Sequence, residues 1–248
     1  MGKFFNVQVK PDMPMATQLG SSGGNLIFAA GDVFFDWVAF DIPKGSAKLI
    51  DISIMIRGAQ TTKEMEFFFA KSINGVAPSS IGTGNADADG TGYYRNVIGG
   101  VVMDNTNFKQ DLNNLTVGSL GYGASADQHS HLVLTGEPDS GVNVGFDKLY
   151  IAATVSQSSG FNLKTGVLAD GAVTLGAASN FDVKTVSALN FFQAGDIVHV
   201  HDSETAIGTV KSLTATNIVL EAATGVAIAD EDVIQNLNPV DIQLCFER

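Results

Sequence analysis

The sequence predicts an all-β chain: a jelly-roll-like antiparallel β-sandwich that carries a small inserted β-barrel. Three observations point there. Apolar residues recur at every second position, stretches rich in Gly, Ser, Asn and Asp separate those runs, and the texture of the chain changes near residue 160 and changes back near 237.

The alternation is clearest in "KLIDISIMIR", where Ile50, Ile52, Ile54 and Ile56 share one face and Asp51, Ser53 and Arg57 the other. It returns in "KLYIAATVSQ" through Leu149, Ile151, Ala153 and Val155, and in "PVDIQLCFER" through Val240, Ile242, Leu244 and Phe246. Aromatic and β-branched content adds strands at 33–42 and 65–71, with shorter ones at 97–103 and 131–135. Helical spacing is scarce, and "NTNFKQDLNNL" (105–115) has room for a turn or two. The polar stretches 20–24, 81–92 and 121–128 read as loops, because glycine tolerates positive φ and Asn and Asp bond their own backbone.

From 160 to 235 tryptophan and tyrosine vanish, strands shorten and acidic residues accumulate, nine against three lysines. Five short strands are readable there, at 182–186, 195–200, 206–213, 217–222 and 231–235, the size of a small barrel. The strong alternation of 240–246 then resumes. The predicted organisation is an extended N-terminal arm (1–24), a sandwich (25–157 with 237–248) and a barrel (160–235) looped out between its last strands.

Composition narrows the function. Hydrophobic residues make up 45% of 248, ample for a core, and 14 basic against 26 acidic residues leave a formal charge of −12. With no cluster of Lys or Arg to offset it, that charge repels phosphate backbones and anionic membranes, so neither nucleic acid nor membrane is an expected partner. The single cysteine, Cys245, cannot make an intrachain disulfide, which suits a reducing compartment. The N-terminus reads as no secretory leader, and Asn6 stands where a myristoylation motif wants Ser or Thr. No run approaches the ~18 apolar residues of a membrane span, so a soluble protein is expected.

Several stretches resemble chemical motifs in part. In "GDIVHVHDSETAIGTV", His199 and His201 share a strand face with Ile197, opposite Val198 and Val200; they are expected beside solvent on an ordinary barrel strand, since a zinc site wants at least three ligands. Gly123, His129 and His131 match the G-x5-H-x-H opening of the cupin metal motif, which would make His129, His131 and Glu137 its ligands. Glu137 lies one residue too far along, however, and the second cupin motif is absent. Asn85, Asp87, Asp89 and Gly90 match the first half of a calcium loop, but its closing carboxylate position holds Asn96. "GYGASA" (121–126) lacks the strand and helix of a dinucleotide fingerprint, and Cys245 has no histidine partner in sequence. No enzyme activity and no cofactor are expected.

The stretch "FFQAGDIVHVHDSETAIGTVKSLTATNIVLEAATGVAIADEDVI" (191–234) resembles the small barrels of tailed-bacteriophage capsid and tail proteins, and the whole chain resembles virion structural proteins in texture. That resemblance implies a capsid decoration or cement protein, assembled in the host cytoplasm as a homo-oligomer and bound to the major capsid protein or other virion proteins. A tail or baseplate component is the nearest variant. A glycan-binding adhesion module using Tyr93, Tyr94 and Tyr122, and a metal-dependent cupin-like enzyme, are the alternatives from other classes. Phe4, Phe5, Val7 and Val9, ahead of Pro11 and Pro14, suit a segment lying across a neighbouring subunit. Sixteen phenylalanines also exceed what one face of one sheet needs, so some are expected in an oligomer interface.

Overall fold

The computed structural model describes residues 3–13, 18–20, 23–57, 64–112, 115–120, 132–137, 146–156, 161–164, 166–184, 186–200 and 206–248, and among them it is all β, with no α-helix. One sheet of the sandwich has the order β1 (Phe4–Val9), β19 (Val240–Glu247), β5 (Ser46–Arg57), β9 (Leu115–Ser119), β8 (Phe108–Leu112). β10 (Leu132–Thr135) pairs with the start of β5 on the side where β9 pairs with its end. The facing sheet has the order β4 (Val33–Pro43), β11 (Phe146–Val155), β6 (Met65–Lys71), β7 (Val97–Met103). Between β4 and β11 the chain crosses from sheet to sheet four times, the habit of a jelly-roll-like sandwich. The first crossing turns at Gly45, whose φ of +110° favours glycine and whose N–H donates to the Asp147 carboxylate at 2.8 Å.

Alternation sets the core, with one local correction. On β19, Val240, Ile242, Leu244 and Phe246 are all buried, as the period of two requires. On β5 the register slips between Cys245 opposite Asp51 and Phe246 opposite Leu49, so a bulge at Ile50 turns Leu49 inward with Ile52, Ile54 and Ile56. Twelve of the sixteen phenylalanines are buried in the chain's own cores, among them Phe67 and Phe69 of the "EFFFA" run. Core filling therefore accounts for most of the aromatic surplus expected at an interface. Among the described phenylalanines only Phe4 is largely exposed, at 66%.

The N-terminal segment expected to lie across a neighbour is, over Phe4–Val9, an edge strand of the chain's own sheet. Phe5, Val7 and Val9 turn inward, with Phe5 stacked on Phe246 at 5.1 Å, and Phe4 points out. Beyond it, β2 (Gln18–Gly20), β3 (Gly23–Phe28) and β12 (Phe161–Lys164) form a separate three-stranded sheet. Phe161 and Leu163 pack in the sandwich core, so 161–164 belongs with the sandwich although its small-residue texture had placed it with the barrel.

The barrel closes through β13 (Gly166–Ala169), β14 (Asn180–Lys184), β17 (Asn217–Leu220), β16 (Ala206–Leu213), β15 (Ile197–Val200) and β18 (Val233–Asn236). It has its own core, centred on Phe181, Phe191, Phe192, Val198, Ile207 and Ile218. The closing seam is β13 against β18, and there Gly166 is a requirement of space: a Cβ would collide with the Ile234 carbonyl oxygen. Gly166→Ala should therefore destabilise the protein by about 1–3 kcal/mol, the usual cost of overpacking, seen as a lower denaturant midpoint by far-ultraviolet dichroism. An unchanged midpoint would refute the tight seam.

Candidate functional site

A cleft of about 420 Å³ opens where the sandwich meets the barrel. From the sandwich it is lined by Lys10, Met55, Arg57, Leu115 and Asp241, and from the barrel by Gln193, Gly195, Asp196 and Ile197. The connecting stretch Asn238–Pro239 closes it. β5 ends at Arg57 and β19 begins next to it at Val240, because Val240 is registered opposite Ile56. The main-chain N–H of Arg57 donates to the Pro239 carbonyl at 2.9 Å and locks that corner.

Asp196 is the buried acid of this cleft. Its Oδ2 accepts from Asn236 Nδ2 at 2.8 Å and from the Gln193 main chain at 2.9 Å. Burial holds its carboxyl above the ordinary aspartate range, and the hydrogen bonds and the positive charges of Arg57 and Lys10 oppose that shift without cancelling it. Asn236, itself buried, ties three segments together. Its Nδ2 donates to Asp196 and to the Phe191 carbonyl at 2.8 Å, and its Oδ1 accepts from the Asn238 main chain at 2.9 Å. Asn238 Nδ2 in turn donates to the Pro11 carbonyl at 3.2 Å and to Asp12 Oδ1 at 2.7 Å. On the far wall, Asp241 Oδ2 accepts from Gln8 Nε2 at 2.6 Å and lies 4.0 Å from Lys10 Nζ. The cleft thus offers a small polar group both a carboxyl and two cations.

The residues singled out in sequence fall elsewhere. His199 lies on β15 but is only 6% exposed, while Ile197 at 37% faces out. The expectation that His199 stands beside solvent is corrected by a register slip between Val198 and His199 against β16, which breaks the strict alternation. His201 lies outside the described residues, as do His129, His131 and the loop 121–128 with Tyr122. Glu137, the third cupin-type position, is described. It sits in an isolated bridge to Lys148, and its Oε1 accepts from Lys71 Nζ at 2.8 Å. Of the calcium-like loop, Asp89 Oδ1 accepts from the Thr91 main chain and hydroxyl at 2.9 and 2.8 Å, and Asp87 bridges Asp32 through the backbone. Among the described residues no three His, Cys, Asp or Glu side chains gather to share a metal ion. Burial, and then Asp51, push the Cys245 thiol above its ordinary range, away from nucleophilic reactivity.

No protein-family model matches the chain, and no curated protein matches it. Among solved structures, a chain from the structure of infectious bursal disease virus Gx strain is similar at 10% identity and a TM-score of 0.17, over 100% of this chain and 40% of that one. This chain spans less than half the length of that protein, and similarity so loose carries neither fold nor function across. No helix among the described residues is long and apolar enough to cross a membrane.

Sequence reading passed over Lys10, Arg57, Asp196 and Asn236 because each is a single polar residue at a strand end. The one usable signal was the pair of polar, proline-containing stretches 10–14, after the first strand, and 236–239, at the exit from the inserted unit. The raised pKa of Asp196 has a definite sign. A carboxyl that holds its proton more tightly folded than unfolded costs stability above its folded pKa, and that cost fades as pH falls through the window between folded and ordinary values. Wild type should therefore gain melting temperature relative to Asp196→Asn as pH drops from neutral into the carboxylate range. Parallel curves for the two proteins would remove the shift.

Proposed function

We propose that this chain is a structural protein of a tailed-phage virion, a capsid decoration or cement protein. Its sandwich holds neighbours and shell while the acidic barrel projects. The free edge of β1 supports this reading most directly. Lys3 and Arg248 exchange both main-chain hydrogen bonds, at 3.3 and 2.9 Å, so in the antiparallel alternation Phe5, Val7 and Val9 bond to β19 and the N–H and C=O groups of Phe4, Asn6 and Gln8 point away from it. Among the described residues no strand covers that side.

The strand "FFNVQV" carries no charge and no proline, two of the devices by which monomeric proteins blunt an edge. An exposed Phe4 stands at its outer end. Such an edge is a template for a strand from another copy, with main-chain hydrogen bonds supplying affinity and Phe4 supplying apolar burial. The barrel supports the second half of the proposal. Half of the chain's net charge lies within 160–235, which keeps that unit solvated and away from like-charged surfaces.

The full chain should run as an oligomer in light scattering and co-sediment with capsids that lack it. Asn6→Pro deletes an outward N–H without touching the β1–β19 ladder, and it should abolish both behaviours while leaving the far-ultraviolet dichroism of the folded chain unchanged. A wild-type monomer that leaves every capsid unbound sinks the proposal.

A further inference from the structure

The outer face of the β4–β11–β6–β7 sheet and the turn that precedes β7 carry aromatic and polar side chains that the proposed virion assembly leaves unused. Trp37, the only tryptophan, projects from β4 and donates through Nε1 to the Ser79 carbonyl at 2.9 Å. The Tyr93 ring meets it edge-on, centroids 5.5 Å apart and planes at 76°. Both rest half-buried on the small cluster of Val33, Ile81 and Ala152. Tyr94, by contrast, is 64% exposed. The Arg95 guanidinium lies 5.5 Å from its ring centroid, and Arg95 Nε donates to the Tyr94 hydroxyl at 2.9 Å.

Carboxylates stand beside these rings. Asp36 Oδ1 accepts from the main-chain N–H groups of Trp37 and Ile81 at 2.8 and 3.0 Å, which anchors the loop to β4. The Tyr93 phenol is held above its ordinary range by burial first and then by Asp89 and Asp36, both near enough to oppose its ionisation.

We propose that this surface is a binding site for a neutral saccharide. Aromatic faces accept the apolar C–H side of a pyranose, and sugar hydroxyls need donors and acceptors in one place. Arg95 supplies donors, Asp36 and Asp89 supply acceptors, and Thr91 and the two phenols supply either. The same mixture disfavours other ligands. A quaternary ammonium would fit the rings but meet the Arg95 cation, and an anion would meet Asp36, Asp87 and Asp89 on a chain of charge −12. Packing the loop onto the sheet explains Trp37 and Tyr93, yet it gives no use to an exposed Tyr94 with a cation at its ring. The site stands whether or not the chain assembles on a capsid.

Because Trp37 is the sole indole, its emission reports this surface alone. The full chain should show a saturable emission change and matching calorimetric heat with at least one of cellotetraose, maltotetraose and chitotetraose. Tyr94→Ala should weaken that binding about tenfold, which corresponds to about 1.4 kcal/mol, with melting temperature unchanged, and Tyr94→Phe should retain it. Flat calorimetric titrations with all three sugars would falsify the site. So would binding that Tyr94→Ala leaves intact, or saturation by tetramethylammonium in place of the sugars.

Discussion

The pairing of β19 with β5 is the constraint on which the rest of the molecule depends. The last strand of the chain lies in the middle of its sheet, hydrogen-bonded to β5 on one side and β1 on the other. All four of its inward side chains are fully buried, so the sandwich core is incomplete until the C-terminal residues arrive. Contacts of such sequence separation are slow to form, because loop closure must be met before burial repays it. The barrel lies within that loop, and its closed hydrogen-bonding ladder and separate core let it settle as a local unit that shortens the effective connection between β12 and β19.

Where the two units join, geometry rests on main-chain and amide hydrogen bonds more than on apolar packing. Met13 N–H donates to the Leu237 carbonyl at 2.9 Å and Leu237 N–H to the Ile197 carbonyl at 3.1 Å. The three-residue exit from the barrel is therefore tied to the N-terminal segment, to β5 and to β15 at once, with Asn236 at its start.

Much of this architecture was legible in the residues. Period-two runs located β5, β11 and β19, and the return of that pattern at 240 marked the chain's re-entry into the sandwich. Local departures from the period were not legible. The bulge at Ile50 exchanged it for Leu49, and the slip at His199 buried a side chain read as exposed, because a bulge is chosen by the partner strand's register and leaves no mark on its own sequence. β13 escaped notice since "GVLA" is nearly all buried and shows no alternation; Phe108–Leu112 was read as a possible turn of helix and is a strand after a short 3-10 turn. The cleft was invisible for another reason. Its buried acid Asp196, the Asn236 amide that holds that acid from behind, and the cations Lys10 and Arg57 are brought together only by the fold.

Cys245 sits at mid-sheet on the outward face of β19, between Asn6 on β1 and Asp51 on β5. The thiol is half covered while both neighbours are in place. Detachment of β1 from β19 would strip one flank and quicken alkylation at that sulfur, whereas addition of a foreign strand outside an intact β1 would leave its reaction rate as it was. The chain thus holds, at a single atom, a chemical record of whether its first strand is seated.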